Sequence, residues 1–502
     1  MSVFSSRRSF LANAGGAWVS AAMGCLGGAS SALAQGAASR ESSKPPYAAR
    51  IDQVDPELVR QFASGLEGRA IKPGDGTYDA VRQVWNAAYD KRPGLIVVCS
   101  NASDAARTVE FAHRHDLLLA VRSGGHSVAG KSTCDGGIVV DLSGLKGVKI
   151  DSAKRIARVG SGLTLAEFDG ATAAEGLATT SGTEPSTGIA GLTLGGGLGW
   201  LMGKYGFACD NVRSVDIVLA DGKAVTASST KNPDLYWAVR GAGANFGVVT
   251  ALEYDLHPVA SIYGGVLKFP HESLRDVMKH YREFVHTIPD EVGISLGVIP
   301  SASGKPLASM AVSYCGDPAE GEKVLRQLRS FRPILSDDVK VMPYLAFQKR
   351  GGLPPKLRFH AYVRSSFLSE LSDDAIEVIA TNAATAPPFS GSFVIECVHG
   401  KAARMPLTAA AFPHRFFGHN FSVHADWIEP AEEDSAKKWG TTFWAAMQPH
   451  VRAAVYSNYL AEEGQSRVMA GYGANYQRLA VLKRKYDPSN FFHMNQNVLP
   501  AV

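Results

Sequence analysis

GTEPSTGIAGLTLGGGLGW, residues 182–200, is the stretch that decides the fold of this 502-residue chain. Seven of the eighteen residues from Gly182 to Gly199 are glycine, a density that excludes an ordinary helix or strand. No Gly-Lys-Ser/Thr ending closes the stretch, so it is not a P-loop, and its spacing is not that of a GxGxxG dinucleotide turn. Clustered glycines let the backbone approach a bulky group closely, and they predict a large bound cofactor.

A second glycine motif, RSGGHS (residues 122–127), lies upstream of the first. The apolar runs 95–98 and 117–121 flank residues 101–115, which have helical spacing and Ser103 as a plausible N-cap. This pattern predicts a short βαβ unit that leads directly into the motif. Glycine turns of this kind can converge backbone N–H groups on a pyrophosphate; the alternative is a tight turn with a surface histidine.

A third glycine-rich segment, GAGANFG (residues 241–247), is the nearest match to a nicotinamide-binding turn. A strand-like run, residues 248–254, follows it where a Rossmann fold requires a helix. A nicotinamide enzyme is therefore only the second choice. Six cysteines at wide spacings show neither a disulfide framework nor a CxxC metal pattern, and no metal site is expected.

The first fifty residues read as targeting sequence. Arg7 and Arg8 precede a mild apolar stretch and the A-x-A site at 32–34, which predicts a twin-arginine signal over residues 1–34 and export to the periplasm or beyond. Residues 35–50 read as a flexible leader. Loss of the two arginines lowers the net charge from +4 to +2, which gives no support for nucleic-acid binding. No later apolar run is long enough to insert stably in a membrane.

Seven motifs, in order from about residue 90 to the end, resemble the berberine-bridge-enzyme-like branch of the vanillyl-alcohol-oxidase superfamily of FAD-linked oxidases. They are RSGGH, GLTLGGGLGW, KYGFACDN, DLYWAVRGAGANFGVVT, AFPHR, YSNYL and RLAVLKRKYDPSNFFHMNQN. The resemblance implies an α+β protein with a PCMH-type FAD-binding domain over residues 51–260, its core at about 89–260. An α+β substrate domain, residues 261–454, would cover the flavin with an antiparallel sheet, and residues 455–502 would return to the first domain.

The resemblance also implies how FAD is held. His126 matches the histidine bonded to the flavin 8α-methyl. Glu184 stands where some relatives carry a second linking cysteine, so a single covalent link is expected. The remaining cofactor contacts are expected from the RSGGHS motif, the main glycine stretch, one following strand and the terminal motif: Arg122, Ser123, Gly124, Gly125, Ser127, Thr187, Gly188, Gly191, Gly195, Val249 and Asn495.

Two residues are expected to be catalytic. Tyr459 matches the last tyrosine of the family's Y-x-N-Y motif, which often acts as base. A tyrosine does this near neutral pH only if its pKa is lowered or a neighbour shares the proton. Glu396 sits inside the apolar run FVIEC (residues 393–397), where a carboxylate is costly unless it is functional or paired. Aligned from the PHR motif, Glu396 falls where relatives place a polar or acidic active-site residue, so the resemblance implies that it lies near Tyr459.

Substrate contacts are expected from the strand that follows the PHR motif, where alternation places Asn420, Ser422 and His424 on one face. The predicted reaction is oxidation of a C–OH group in an alcohol, sugar hemiacetal or phenolic natural product, by proton abstraction and hydride transfer to FAD. Thr187 lies where small side chains admit oxygen in relatives, which favours O₂ as acceptor. A dehydrogenase that uses a quinone or periplasmic carrier, an amine oxidase and a non-catalytic flavin carrier are the alternatives.

Overall fold

The computed structural model describes residues 47–299, 306–351, 358–387 and 391–502. The predicted signal at 1–34 and all but the last four residues of the predicted leader lie outside the described residues. Within the described ranges, every helix is too short or too polar to cross a lipid bilayer.

A four-stranded sheet carries the RSGGHS motif at the end of its edge strand. Its strands lie in the order Arg69–Ile71, Leu95–Val98, Ile138–Asp141 and Leu119–Arg122, and the last three are parallel. The helix Ala102–Arg114 connects Leu95–Val98 to Leu119–Arg122, which confirms the predicted βαβ unit. Its N-cap is Asn101, not Ser103, because the Asn101 side chain accepts the Asp104 N–H at 3.0 Å.

A five-stranded antiparallel sheet packs beside the first one and supports the main glycine stretch. Two of its strands form a β-hairpin with Asp221 and Gly222 in the turn, where Gly222 has a φ of 82°. The strand order is Val148–Asp151, Ile156–Gly160, Val248–Asp255, Val212–Val218 and Ala224–Ser228, and Leu177–Ala178 pairs separately with His257–Pro258.

The third sheet is large and antiparallel. Its order is Ser336–Asp337, Ser261–Phe269, Leu307–Tyr314, Val292–Ile299, Gly391–Val398, Gly418–Trp427 and His360–Leu368, and Lys340–Pro343 also pairs with Ser261–Phe269. One face packs on the amphipathic helices Leu274–Val285, Pro318–Arg329, Asp373–Ala384 and Glu433–Met447, and forms the largest apolar core. The other face is therefore left for the glycine-rich part of the molecule.

The remaining helices are short or belong to the glycine-rich part. They are Pro56–Ser64, Tyr78–Val81, Leu165–Ala173, Ile189–Leu194, Met202–Tyr205, Pro233–Ala242, Tyr344–Gln348, Gly400–Arg404, Gln465–Tyr472 and Tyr476–Tyr486. The last two bring the chain back to the first sheets.

A buried lysine fixes this returning segment. Lys483 Nζ donates to the Asn245 carbonyl at 2.8 Å, to the Phe492 carbonyl at 2.9 Å and to Asp487 Oδ2 at 2.6 Å. Asn495 Nδ2 donates to the Ala244 carbonyl at 2.7 Å. Residues separated by about half the chain thus form one structural unit.

A buried ion pair joins the PHR motif to the KYGFACDN motif. Arg415 binds Asp210 in a bidentate pair at 2.5 and 2.7 Å, and both side chains are 0% exposed. The guanidinium also lies over the Phe207 ring, 4.9 Å from its centroid. The pair therefore holds the large sheet's connecting loop against the glycine-rich part.

We expect Arg415→Met to lower the free energy of unfolding by ~3–5 kcal/mol, because it leaves Asp210 buried and unpaired. Arg404→Met is the control, since Arg404 pairs with Asp290 at the surface and its loss should cost ~0–1 kcal/mol. Urea unfolding followed by tryptophan fluorescence measures both. Equal losses in the two variants would contradict the assignment.

Candidate functional site

A cavity of about 730 Å³ lies between the glycine motifs and the exposed face of the large sheet. Its walls come from residues 123–128, residues 187–192, the strands Val292–Ile299, Gly391–Val398 and Gly418–Trp427, and residues 456–460. This volume is within the range of cofactor and small-molecule sites.

The two glycine motifs touch each other at the floor of this cavity. A Cβ atom on Gly124 would lie 2.2 Å from the Gly188 nitrogen, and one on Gly188 would lie 2.2 Å from the Gly124 nitrogen. Gly125 has a φ of 73°, which side chains rarely adopt. The glycines therefore permit a close backbone approach that brings two distant loops to one surface.

His126 lies on the cavity wall with both ring nitrogens engaged. Its Nε2 lies 2.9 Å from Ser186 Oγ and its Nδ1 lies 3.4 Å from Thr187 Oγ1. Ser186 Oγ donates to Glu184 Oε1 at 2.7 Å, so its oxygen is free to accept the Nε2–H of His126. Burial lowers the pKa of His126 to about 4. The imidazole is therefore neutral, with its lone pair on Nδ1.

Most of the expected cofactor contacts line the cavity, and three do not. Those that line it are Ser123, Gly124, Gly125, His126, Ser127, Thr187, Gly188, Gly191 and Asn495. Arg122 instead forms a buried ion pair with Asp141 at 2.7 Å. Val249 pairs with Ile217 within the five-stranded sheet, and its side chain joins that sheet's core. Gly195 packs against Asn458. These three support the cavity wall from behind.

Several polar atoms on the cavity wall fit a bound FAD. Trp85 Nε1, Ser132 Oγ and Asn495 Oδ1 are buried and have no hydrogen-bond partner within the described ranges. Buried polar groups are normally satisfied, so these atoms indicate a polar ligand. The Trp85 ring also stacks on the His126 ring, with centroids 5.4 Å apart and planes 27° apart.

A smaller cavity of about 150 Å³ brings Glu396, Tyr459 and His424 together. Asn420 Nδ2 donates to Glu396 Oε2 at 2.7 Å, and the Asn420 oxygen accepts from Ser365 Oγ at 2.9 Å. Burial raises the pKa of Glu396 to about 7. Burial and the Glu396 charge raise the pKa of Tyr459 well above its usual value. A tyrosine can act as a base near neutral pH if its pKa is lowered or if a neighbour shares its proton. Because the pKa of Tyr459 is raised, this geometry favours a proton shared with Glu396.

The strand Gly418–Trp427 presents the other expected residues. Asn420, Ser422 and His424 share one face of this strand, as alternation requires, but only His424 lines a cavity; Asn420 and Ser422, also expected as substrate contacts, are fully buried. Ser422 Oγ and His424 Nε2 are 2.9 Å apart, and the His424 ring lies edge-to-face with Tyr459 at 6.3 Å. Burial lowers the pKa of His424 to about 4, so the imidazole is neutral. Asn420 and Ser422 orient Glu396 and His424 in this arrangement.

Tyr456, Ser186 and Trp85 hold parts of this site in place and were not expected from the sequence. Tyr456 accepts hydrogen bonds from the Gly197 and Leu198 N–H groups at 3.2 and 3.3 Å and from Asn458 Nδ2 at 2.8 Å, and so fastens the main glycine stretch to the Y-x-N-Y motif. Ser186 stands beside Thr187 in the quoted stretch and could have been selected there. Trp85 lies in a segment with no distinctive pattern.

Comparison with known proteins explains this combination of motifs and cavity. The FAD binding domain family matches residues 93–228, and the berberine and berberine-like family matches residues 455–499. An FAD-linked oxidoreductase of Dictyostelium discoideum is 31% identical over 454 residues, which cover 88% of this chain and 97% of that protein. This chain is a berberine-bridge-like FAD-linked oxidoreductase. The α+β fold class expected from the sequence and FAD as the cofactor are thereby confirmed.

Two further comparisons support the assignment of this chain to the FAD-linked oxidoreductases. The (R)-6-hydroxynicotine oxidase of Paenarthrobacter nicotinovorans is 31% identical over 457 residues, covering 87% of this chain and 97% of that enzyme. The crystal structure of 6-hydroxy-D-nicotine oxidase from Arthrobacter nicotinovorans matches with a TM-score of 0.80 at 29% identity, over 87% of this chain and 99% of that one. This chain therefore shares the fold of the crystallised oxidase over nearly the whole length of that enzyme.

Proposed function

We propose that this enzyme oxidises a C–OH group of a small organic substrate in the main cavity. The observation that carries the proposal is the position of Glu396, a buried carboxylate whose pKa is raised to about 7, beside the Tyr459 hydroxyl. A base with a pKa near the working pH combines a useful fraction of the ionised form with a useful proton affinity.

The proton path runs from substrate to Glu396. The Tyr459 hydroxyl takes the substrate O–H proton while giving its own to the Glu396 carboxylate, so that neither oxygen carries a full phenolate charge in a dry site. Asn420 holds the receiving carboxylate by its amide. FAD, when bound, supplies the acceptor for the hydride that leaves the substrate carbon.

We also propose that FAD is bound covalently through a single link at His126 Nδ1. The neutral imidazole, its hydrogen bond to Ser186 and the stacking of Trp85 support this assignment. Glu184, at the position where a second linking cysteine would stand, instead accepts a hydrogen bond from Ser186.

O₂ is the proposed electron acceptor, because Thr187 presents a small side chain at the cavity floor. A quinone or other periplasmic acceptor is the alternative, consistent with the proposed export of the enzyme through the twin-arginine pathway.

Anaerobic mixing with a panel of alcohols, sugars, phenolics and amines tests the proposed function. We expect at least one compound with a C–OH group to bleach the flavin absorbance, and admitted air to restore it with one hydrogen peroxide per turnover. Bleaching without reoxidation by air would favour the alternative acceptor. A flavin that only amines reduce would contradict oxidation at a C–OH group.

A further inference from the structure

Asp426 is an acidic residue of the main cavity wall that has no partner among the described residues. Asp426 lies two residues beyond His424 on the same face of the strand Gly418–Trp427 and lines the cavity wall. Its Oδ1 atom is buried without a hydrogen bond, and no residue within the described ranges forms an ion pair with this carboxylate. This contrasts with Glu396, which Asn420 holds.

The surroundings of Asp426 are apolar and aromatic. Its cross-strand neighbour is Ala361, which belongs to a small apolar cluster with Phe359 and is packed by Trp85 and Ile428. Asn86 binds the Ala361 backbone through bonds of 2.9 and 3.0 Å, and this contact fixes the loop that carries Trp85. Burial in this setting raises the pKa of Asp426 to about 7.

The cations that line the same cavity are already engaged elsewhere. Lys131 pairs with Glu462 at 2.8 Å, and Arg350 pairs with Asp338 at 2.8 Å. A carboxylate oxygen that is buried without a hydrogen bond is unfavourable, so the Oδ1 atom of Asp426 in a ligand cavity points to a ligand that compensates it.

We propose that Asp426 binds a cationic nitrogen of the substrate, an ammonium or protonated ring amine, and so selects amine-bearing substrates. A carboxylate with neighbouring aromatic rings is the arrangement that binds organic cations. Two residues of strand place Asp426 roughly 7 Å from His424, so the cation would lie in the same cavity as the Tyr459 hydroxyl but beside a different residue of its wall. The inference rests on the proposed function, because it uses the same cavity and adds the chemical class of the substrate.

Binding of a fixed cation tests this assignment in the intact flavoprotein. Benzyltrimethylammonium, which cannot lose its charge, and benzyl alcohol are titrated against the flavin absorbance under anaerobic conditions. We expect the wild-type enzyme to bind the cation at least tenfold more tightly than the alcohol. Asp426→Asn, which keeps the shape and loses the charge, should remove this preference without changing the affinity for the alcohol. Asp434→Asn, on the exposed side of the helix Glu433–Met447, is the matched control.

Thermal unfolding of the ligand-free variants separates a binding role from a structural one. Because the Oδ1 atom of Asp426 is buried without a hydrogen bond, removal of the charge in Asp426→Asn should raise the melting temperature, whereas loss of a structural contact would lower it. A wild-type enzyme with no preference for the cation, or a variant that keeps the preference, overturns the inference. If neutral alcohols still bleach the flavin in that case, the proposed function stands; if no compound does, the proposed function fails instead.

Discussion

Replacing Glu396 by glutamine is expected to lower the rate of flavin reduction by about 10²–10⁴-fold, the usual worth of a positioned general base. The amide keeps the volume of the side chain but cannot take the proton that Tyr459 passes on. Anaerobic stopped-flow measurement of flavin bleaching isolates this step from reoxidation.

The pH profile of the same reaction identifies the group. Because the base must be ionised and burial raises the pKa of Glu396 to about 7, we expect the reduction rate to rise with pH up to about 7 and then level off. The rising limb should be absent from Glu396→Gln. Glu432→Gln is the control for a buried glutamate: Glu432 lines neither cavity, and its carboxylate accepts the backbone N–H groups of Ile428 and Glu429. An unchanged rate and pH profile in Glu396→Gln would remove this carboxylate from the mechanism.

Replacing His126 by alanine is expected to abolish covalent flavin. The neutral imidazole is the nucleophile proposed for the link, and Glu184, at the position of a second link, offers no thiol. Acid precipitation should leave the wild-type pellet yellow and the His126→Ala pellet colourless, and the mass spectrum of the variant should lack the added mass of FAD.

A second buried histidine provides the matched control. His424→Ala removes another neutral imidazole from the cavity wall but touches neither Ser186 nor Thr187, so its flavin should stay attached. Retained covalent flavin in His126→Ala would show that another residue carries the link. Loss of covalent flavin from both variants would show that attachment depends on an intact cavity wall and not on His126 in particular.

The sequence was most informative where chemistry requires a rare arrangement. The glycines at 124 and 188 and the histidine at 126 could be identified because ordinary turns rarely need them. Glu396 was visible because a carboxylate interrupts an apolar strand. The strand alternation that selected Asn420 and His424 also places Asp426, two residues further on, on the same face. This carboxylate could therefore have been predicted from the sequence.

The positions of the other site residues depend on contacts between segments that are far apart in the sequence. In the sequence, Val249 lies close to a glycine-rich turn. In the structure it pairs with Ile217 within the five-stranded sheet and does not line the cavity. Arg122 adjoins the cofactor motif, yet the parallel register of two strands places it opposite Asp141. Trp85 reaches His126 only because a separate loop passes beside the RSGGHS motif. One-dimensional patterns do not encode these pairings.

The contact between Asn495 and Ala244 sets an order of events during synthesis. On the ribosome, the main glycine stretch ends at residue 200 and the returning segment begins only at residue 455, so the cavity wall is incomplete until translation is nearly finished. We therefore expect flavin capture to follow synthesis of almost the whole polypeptide, and we expect a nascent chain arrested before residue 455 to keep both glycine loops without trapping its flavin.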